Sequence, residues 1–213
     1  MASRDVNQSE VKRIISMVRK IASVFKVKVV ITDLLDNAWG EVDYDNVTGR
    51  PTTLTLATHW MRGKRMQIVK PTDICTTAFH EIAHIMQGAR RDKDLYATMH
   101  GITALEINAR AEAGTKLPKD MRDWALTRIW RIEREAEEFG LEMAEKFGLK
   151  LSRKKEIRAS TSSLMCYILT LRYGLPYMCP YKRRKVIKSL PFKYDTIPEL
   201  DDLIKELDKI HLK

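Results

Sequence analysis

The sequence predicts an α+β fold in which a small sheet near the N-terminus is followed by several helices. Between residues 11 and 25, apolar residues recur at three-and-four spacing, the pattern of an amphipathic helix, and Ser9 is a suitable N-cap. Short β-branched or alternating stretches at 26–32, 40–45 and 52–57 predict three strands. After the third strand the periodicity becomes helical again, so the strands and most helices are separated along the chain.

The later helices are marked by their periodicity and by turn residues. The segment at 72–88 carries apolar residues on one face, and Gly88 is a suitable C-cap for it. Residues 103–113 form a candidate helix in a region whose glycines and proline leave room for a loop over a site. Three further helices are predicted at 120–148, 157–173 and 200–210. We therefore expect a main domain at 1–148 and a helical C-terminal extension at 149–213 that packs on it.

The composition is that of a globular protein. Of the 213 residues, 44% are hydrophobic and 31% are charged, which is compatible with a packed core. No apolar stretch approaches the roughly 18 to 20 residues of a transmembrane helix, and the polar start Met-Ala-Ser-Arg-Asp lacks the apolar region of a secretory signal. We therefore expect a cytoplasmic protein with no membrane partner. The cysteines form no C-x-x-C pair, which argues against a disulfide framework or a cysteine zinc knuckle.

The net charge of +10 is concentrated in one part of the chain. Residues 150–193 hold 12 basic residues and one acid, Glu156, and four tyrosines interleave them. This composition is compatible with a surface for nucleic acid or an acidic partner, and equally with a solvated basic face, because no named DNA-binding motif is present. The candidate contacts are Lys154, Lys155, Arg158, Lys182, Arg183, Arg184 and Lys185.

The string HEIAH, with His80, Glu81 and His84, carries the strongest chemical signal. On a helix, residues i and i+4 project from the same face, so two imidazoles can bind one zinc ion while the adjacent Glu faces a metal-bound water. That carboxylate can take a proton from the water and pass it to a leaving amine. The competing interpretation is two ordinary histidines, but a Glu on an otherwise apolar turn is unfavourable to bury without a metal.

A zinc site with two imidazoles needs a third protein ligand. The best candidate is Glu133 in the string IEREAEEFG, which flanks the apolar stripe of the long helix. Glu137, one turn later, is on the same side and is a candidate to orient a ligand histidine by hydrogen bonding. Two alternatives stay open: Glu133 can be a solvated carboxylate paired with a nearby arginine, and His100 can compete as the third ligand.

These motifs resemble those of the ImmA/IrrE-type minimal gluzincin metallopeptidases, over roughly residues 10–148. The resemblance implies a zincin-like fold, with a small mixed or antiparallel sheet packed on the HExxH helix and a long Glu-bearing helix. It also implies Zn²⁺ held by His80, His84 and Glu133, with Glu81 as general base. Its edge strand, expected at 52–57, would align an extended substrate by β-augmentation. A weaker similarity to SprT-like proteases, which use three histidines, is opposed by the spacing of His100 and the missing cysteine ribbon.

The expected function is therefore that of a zinc metalloendopeptidase acting on a protein or peptide substrate. The oxyanion of the tetrahedral intermediate needs a donor opposite the zinc, and Tyr96, His100 and His59 are candidates among which the sequence does not choose. The alternative function is that of a non-catalytic zincin-fold protein, which binds nucleic acid or an acidic partner through the basic segment at 150–193.

Overall fold

The computed structural model describes residues 8–33, 40–45, 48–62, 65–69, 71–149, 151–175 and 196–209, and over these residues the protein is α+β, as predicted. The described residues group into two compact units. The first unit contains the chain up to Arg91 together with Ala136–Leu151. The second contains Asp92–Glu135 and the residues from Ser152 onward. The division falls inside one long helix, and the domain boundary expected after residue 148 stays a prediction.

Two helices of the first unit frame its core. Helix α1 spans Gln8–Val24 and helix α2 spans Pro71–Ala89. Since α1 begins at Gln8, the prediction of Ser9 as N-cap is wrong, and Ser9 lies in the first turn. The predicted apolar periodicity of α1 is confirmed, because the members of its apolar stripe are buried against α2 and the sheet. The fully buried members of that stripe are Ile14, Val18 and Ala22.

The sheet of the first unit has three strands, β1 (Lys28–Thr32), β2 (Gly40–Tyr44) and β3 (Pro51–Ala57), in the order β1-β3-β2. Strand β3 is parallel to β1 and antiparallel to β2. The expectation that 52–57 forms an edge strand is therefore wrong, because the backbone of β3 is paired on both sides. Its Leu54 and Leu56 are buried toward the helices, which suits a central strand.

A second pair of strands, which the sequence analysis did not predict, follows the sheet. Strands β4 (His59–Arg62) and β5 (Arg65–Ile68) form an antiparallel hairpin. The string HWMRGKRMQI mixes cationic and apolar residues without strict alternation, so it carries no clear strand signal.

Helix α2 packs its apolar face into the core and extends beyond its predicted end. Phe79 is fully buried and stacks on Phe147, with ring centroids 5.4 Å apart. The prediction of Gly88 as C-cap is wrong, because the helix continues to Ala89 and the left-handed residue beyond it is Arg91. The lack of a side chain at Gly88 serves packing instead, since a Cβ there would lie 3.0 Å from the ring of Tyr44.

The second unit is mostly helical. Its short elements are helix α3 (Lys93–Tyr96) and the antiparallel strands β6 (Thr98–Met99) and β7 (Ile102–Thr103). The predicted helix near 103–113 is present as α4 (Ala104–Glu112), and the hydroxyl of Thr103 accepts a hydrogen bond from the Glu106 backbone N–H. The strands β6 and β7 are too short to carry a periodic signal.

The three later helices are present as predicted. They are α5 (Lys119–Lys146), α6 (Arg153–Leu171) and α7 (Leu200–Lys209). Helix α5 runs through the division between the units and ends before Gly148, which adopts a φ of +74°. Arg122 on α5 donates a hydrogen bond to the Leu171 carbonyl at 2.9 Å, which ties α5 to the end of α6. Among the described residues, no helix is both long and apolar enough to span a membrane.

Candidate metal centre

Helix α2 presents His80 and His84 on a different side from its apolar face. That apolar face is fully or almost fully buried and includes Cys75, Ala78, Phe79, Ile82 and Ile85. His80 and His84, one turn apart, are half-buried, and Glu81 between them is only 8% exposed. The predicted i, i+4 placement of the two imidazoles is therefore confirmed, and it comes with a carboxylate largely removed from water.

The two histidines face each other through their Nε2 atoms. These atoms lie 3.0 Å apart, and the ring centroids lie 4.7 Å apart at an interplanar angle of 84°. Tetrahedral zinc with Zn–N bonds of about 2.0–2.1 Å would separate two ligand nitrogens by about 3.3 Å. The imidazole pair therefore fits a shared cation with only a small change in separation.

Gln87 holds the ring of His84, a role that the sequence analysis missed. The Nδ1 atom of His84 lies 2.8 Å from Oε1 of Gln87, whose side chain is 1% exposed. With the amide oriented in this way, Nδ1–H is the donor, which leaves the lone pair of Nε2 available for a metal. The signal for this role was the i, i+3 spacing of His84 and Gln87 on the helix that carries the motif.

Glu133 on α5 completes a group of three potential ligands. Each of the residues His80, His84 and Glu133 offers one ligand atom, and these three atoms lie within 4.8 Å of one another. All three side chains are half-buried. Two imidazole nitrogens and one carboxylate oxygen are a donor set that proteins use for catalytic zinc. This geometry is compatible with Glu133 as the third ligand, which stays a prediction.

Glu137 lies beside the other histidine. Its Oε1 atom is 3.8 Å from Nδ1 of His80, which is longer than a hydrogen bond but within the range of an ion pair when the imidazole is protonated. Glu133 and Glu137 are one turn apart on α5, so they share a helix face. Glu137 therefore lies near His80 at a distance too long for a hydrogen bond, and its role in orienting a ligand histidine stays a prediction.

Gly140 allows α5 to approach α2 closely at the histidine pair. A Cβ at this position would lie 3.3 Å from the Thr76 carbonyl oxygen and 3.4 Å from the His80 backbone nitrogen. Both neighbours are backbone atoms with little freedom to move, so a larger residue would push the helices apart. Gly140 follows Glu133 and Glu137 at i+7 and i+3, so its position on their face was visible in the sequence, although its packing role was not.

Strand β2 also packs on the helix that carries the motif. A Cβ on Gly40 would lie 2.7 Å from the Thr77 side chain and 3.0 Å from Cγ of Glu81. At the other end of the strand, the Tyr44 hydroxyl donates a hydrogen bond of 3.4 Å to the His84 carbonyl. The absence of a side chain at Gly40 therefore lets the strand backbone lie against the turn of α2 that carries Glu81.

The remaining candidates near the site lie outside this cluster. His100 is exposed and sits with Gly101 in the turn between β6 and β7, where both residues have positive φ. Such a two-residue turn accounts for His100 without a metal. Within the described ranges, the group of potential ligands contains Glu133 and not His100. Tyr96 is an exposed residue of α3. The oxyanion donor stays unassigned.

Part of the predicted basic surface can be located. Lys154, Lys155 and Arg158 lie in the first turns of α6, and all three are exposed. The other predicted contacts, Lys182, Arg183, Arg184 and Lys185, lie outside the described residues. The structure therefore shows accessible cations at the start of α6 and does not test the rest of this surface.

Comparison with known proteins adds no assignment to this geometry. No family model, curated protein or solved structure matches the chain. The interpretation of the cluster therefore depends on its own residues and distances.

Proposed function

We propose that the protein is a zinc-dependent metallopeptidase of the ImmA/IrrE type that hydrolyses a protein or peptide substrate. The observation that carries the proposal is the convergence of His80, His84 and Glu133, whose ligand atoms lie within 4.8 Å of one another. The two helices that supply them approach closely at Gly140. The buried carboxylate of Glu81 adjoins this group, which adds the proton acceptor that hydrolysis needs.

The residues of the chain have separate roles in the proposed reaction. His80, His84 and Glu133 bind the zinc ion, which when bound supplies a Lewis acid that acidifies a water molecule and polarises the scissile carbonyl. The carboxylate of Glu81 accepts a proton from the attacking water, whose hydroxide adds to the scissile carbonyl carbon. Glu81 then delivers that proton to the leaving amide nitrogen, so that one peptide bond is broken and one water is consumed. Gln87 fixes the His84 ring, and Glu137 favours a similar orientation of His80.

The substrate is proposed to bind as an extended strand. Because β3 is central, the strand edge beside Glu81 belongs to β2 rather than to residues 52–57. Edge strands offer unpaired backbone groups that recruit an extended peptide. The proposed binding edge is therefore β2, which replaces the strand expected from the resemblance.

Metal analysis of the purified protein tests the proposal. We expect about one zinc per chain by elemental mass spectrometry, and substantial loss of that zinc in Glu133→Gln. Glu142→Gln is the matched control, since Glu142 is an exposed carboxylate on the same helix and should keep the wild-type zinc content. A metal-free wild-type protein, or zinc content unaffected by Glu133→Gln, would reject this assignment.

A second candidate function is the binding of nucleic acid or an acidic partner. It is supported by the exposure of Lys154, Lys155 and Arg158 on α6. Binding through phosphate contacts would weaken steeply as salt rises, and replacing the three cations by Gln should reduce the salt dependence. Absence of binding to duplex or single-stranded DNA and RNA at low salt would reject nucleic acid as the partner.

A further inference from the structure

Strand β2 is the edge strand of the three-stranded sheet on the side next to the candidate metal centre. It pairs with β3 on one side, and no other strand among the described residues pairs with its second side. The pairing register runs from Gly40, opposite Leu56, to Asp43, opposite Thr53, and is then interrupted by an irregularity before Tyr44. The regular part of the edge therefore matches an extended peptide of about four residues.

The position of β2 places one face of the strand against the helix that carries the reactive group. Gly40 contacts the turn of α2 that carries Glu81, and Tyr44 reaches the His84 carbonyl. The strand thus follows the helix from the proposed base to the second histidine. A peptide paired with β2 would run along the same line.

Two acidic side chains project from this edge on one face. Glu41 and Asp43 are exposed, and they lie opposite Thr55 and Thr53 of β3, so they share the face of the sheet that does not carry Leu54 and Leu56. Since they alternate with the half-buried Val42, a bound strand would place every second side chain next to a carboxylate. Directly opposed side chains on neighbouring strands lie about 4.5–5.5 Å apart, close enough for an ion pair.

We infer that the substrate is an extended segment with basic side chains at two alternating positions, which pair with Glu41 and Asp43. The inference rests on the proposed peptidase function and adds the class of substrate to it. Cross-strand pairs of opposite charge contribute modestly, so two of them should favour a basic segment by roughly 2- to 30-fold in affinity over a neutral one.

Peptide binding to the Glu81→Gln protein, which lacks the proposed base, provides the test. Fluorescently labelled eight-residue peptides that differ only in Lys, Gln or Glu at two alternating positions are titrated by anisotropy. We expect the Lys peptide to bind most tightly and the Glu peptide most weakly. Adding Glu41→Lys and Asp43→Lys should reverse this order, whereas Glu142→Lys, at an exposed carboxylate on α5, should leave it unchanged.

A second peptide separates strand pairing from general attraction between charges. Methylation of alternate backbone nitrogens removes the donors needed for pairing and should reduce the affinity of the Lys peptide at least about tenfold. The inference is overturned if the three peptides bind equally, if charge reversal on β2 has no effect, or if N-methylation has none.

The two proposals can fail separately. A protein that holds zinc and cleaves peptides without any charge preference retains the proposed function and loses this inference. A metal-free protein loses the proposed function, and a charge preference that still depends on Glu41 and Asp43 would then support a strand-binding edge without catalysis. Metal content and peptide affinity are therefore measured on the same preparations.

Discussion

The two units of the protein bury polar groups in different ways. In the first unit, the buried polar side chains of the described residues are Glu81 and Gln87, and both belong to α2 beside the histidine pair. In the second unit they are spread over α3, α4 and α6. The buried polar residues of the second unit are Asp94, Asn108, Ser160, Thr161 and Thr170.

This difference separates the buried polar groups beside the candidate metal centre from those elsewhere. A buried polar atom without a hydrogen bond costs about 1–3 kcal/mol. Within the described part of the second unit, Oδ1 of Asn108 and the hydroxyls of Thr161 and Thr170 have no hydrogen-bond partner. In the first unit the two buried polar side chains instead lie beside the potential ligands: Gln87 contacts Nδ1 of His84, and Glu81 is adjacent to His80 in the chain. The candidate site is therefore marked by buried polar side chains that lie close together, and not by a larger number of them.

The largest expected effect tests the functional side of this comparison. Glu81→Gln keeps the shape of the side chain and removes the proton acceptor, so peptide cleavage should fall by roughly 10²- to 10⁴-fold. The amide keeps the shape and hydrogen-bonding capacity of the side chain and costs less to bury than a carboxylate, so the free energy of unfolding should change little. Cleavage of unstructured peptides, zinc content and urea denaturation are measured on the same protein.

Glu142→Gln, on an exposed carboxylate of α5, is the control and should change none of these quantities. Full cleavage by Glu81→Gln would remove Glu81 as the base. A marked loss of stability would instead show that Glu81 is buried for structural reasons, and the contrast between the units would then disappear.

A smaller effect is expected at Gln87. Gln87→Met preserves the approximate volume but leaves Nδ1–H of His84 without its acceptor, so zinc affinity should fall by about 10- to 100-fold. Gln87→Glu retains an acceptor and should recover most of that affinity. Competition with a fluorescent zinc chelator measures both. Equal affinity in the wild type and the Met variant would show that Gln87 does not position His84.

The second unit should respond in the opposite way. Thr161→Val replaces a buried hydroxyl that has no hydrogen-bond partner among the described residues by a methyl group, so the free energy of unfolding should rise by about 1 kcal/mol. Thr127→Val is the matched control, because the Thr127 hydroxyl donates to the Asp123 carbonyl at 3.0 Å and its loss should not stabilise the protein. Destabilisation by Thr161→Val would indicate a buried partner for that hydroxyl, such as water.

The local parts of the fold and site were predictable from the sequence. The choice of His80, Glu81 and His84 as candidates depends only on helical spacing, and the choice of Glu133 follows from the periodicity of α5. The central position of β3 was not predictable, because strand order depends on pairing between distant segments. Gly40 and Gly140 were missed for the same reason, since each matters only when another element approaches it.

The smallest expected effect concerns the contact between the turn that follows α6 and helix α7 in the second unit. Burial raises the pKa of Tyr173 to about 12, and the hydrogen bond that its hydroxyl donates to Asp208 at 2.5 Å adds to the rise. That bond also holds the pKa of Asp208 below its ordinary value, with Arg172 contributing further.

Tyr173→Phe should therefore lower the free energy of unfolding near neutral pH by no more than roughly 0.5 kcal/mol, because both side chains are partly exposed to solvent. A raised tyrosine pKa adds stability that is complete below pH 10 and is lost as the pH rises toward 12. A lowered aspartate pKa adds stability that is lost as the pH falls below about 4. The difference between the two proteins in urea denaturation should thus shrink at both extremes.

A difference that is constant across pH would mean that Tyr173 acts through packing alone. Zinc affinity near neutral pH should be the same in both proteins, because this contact contains none of the potential ligands.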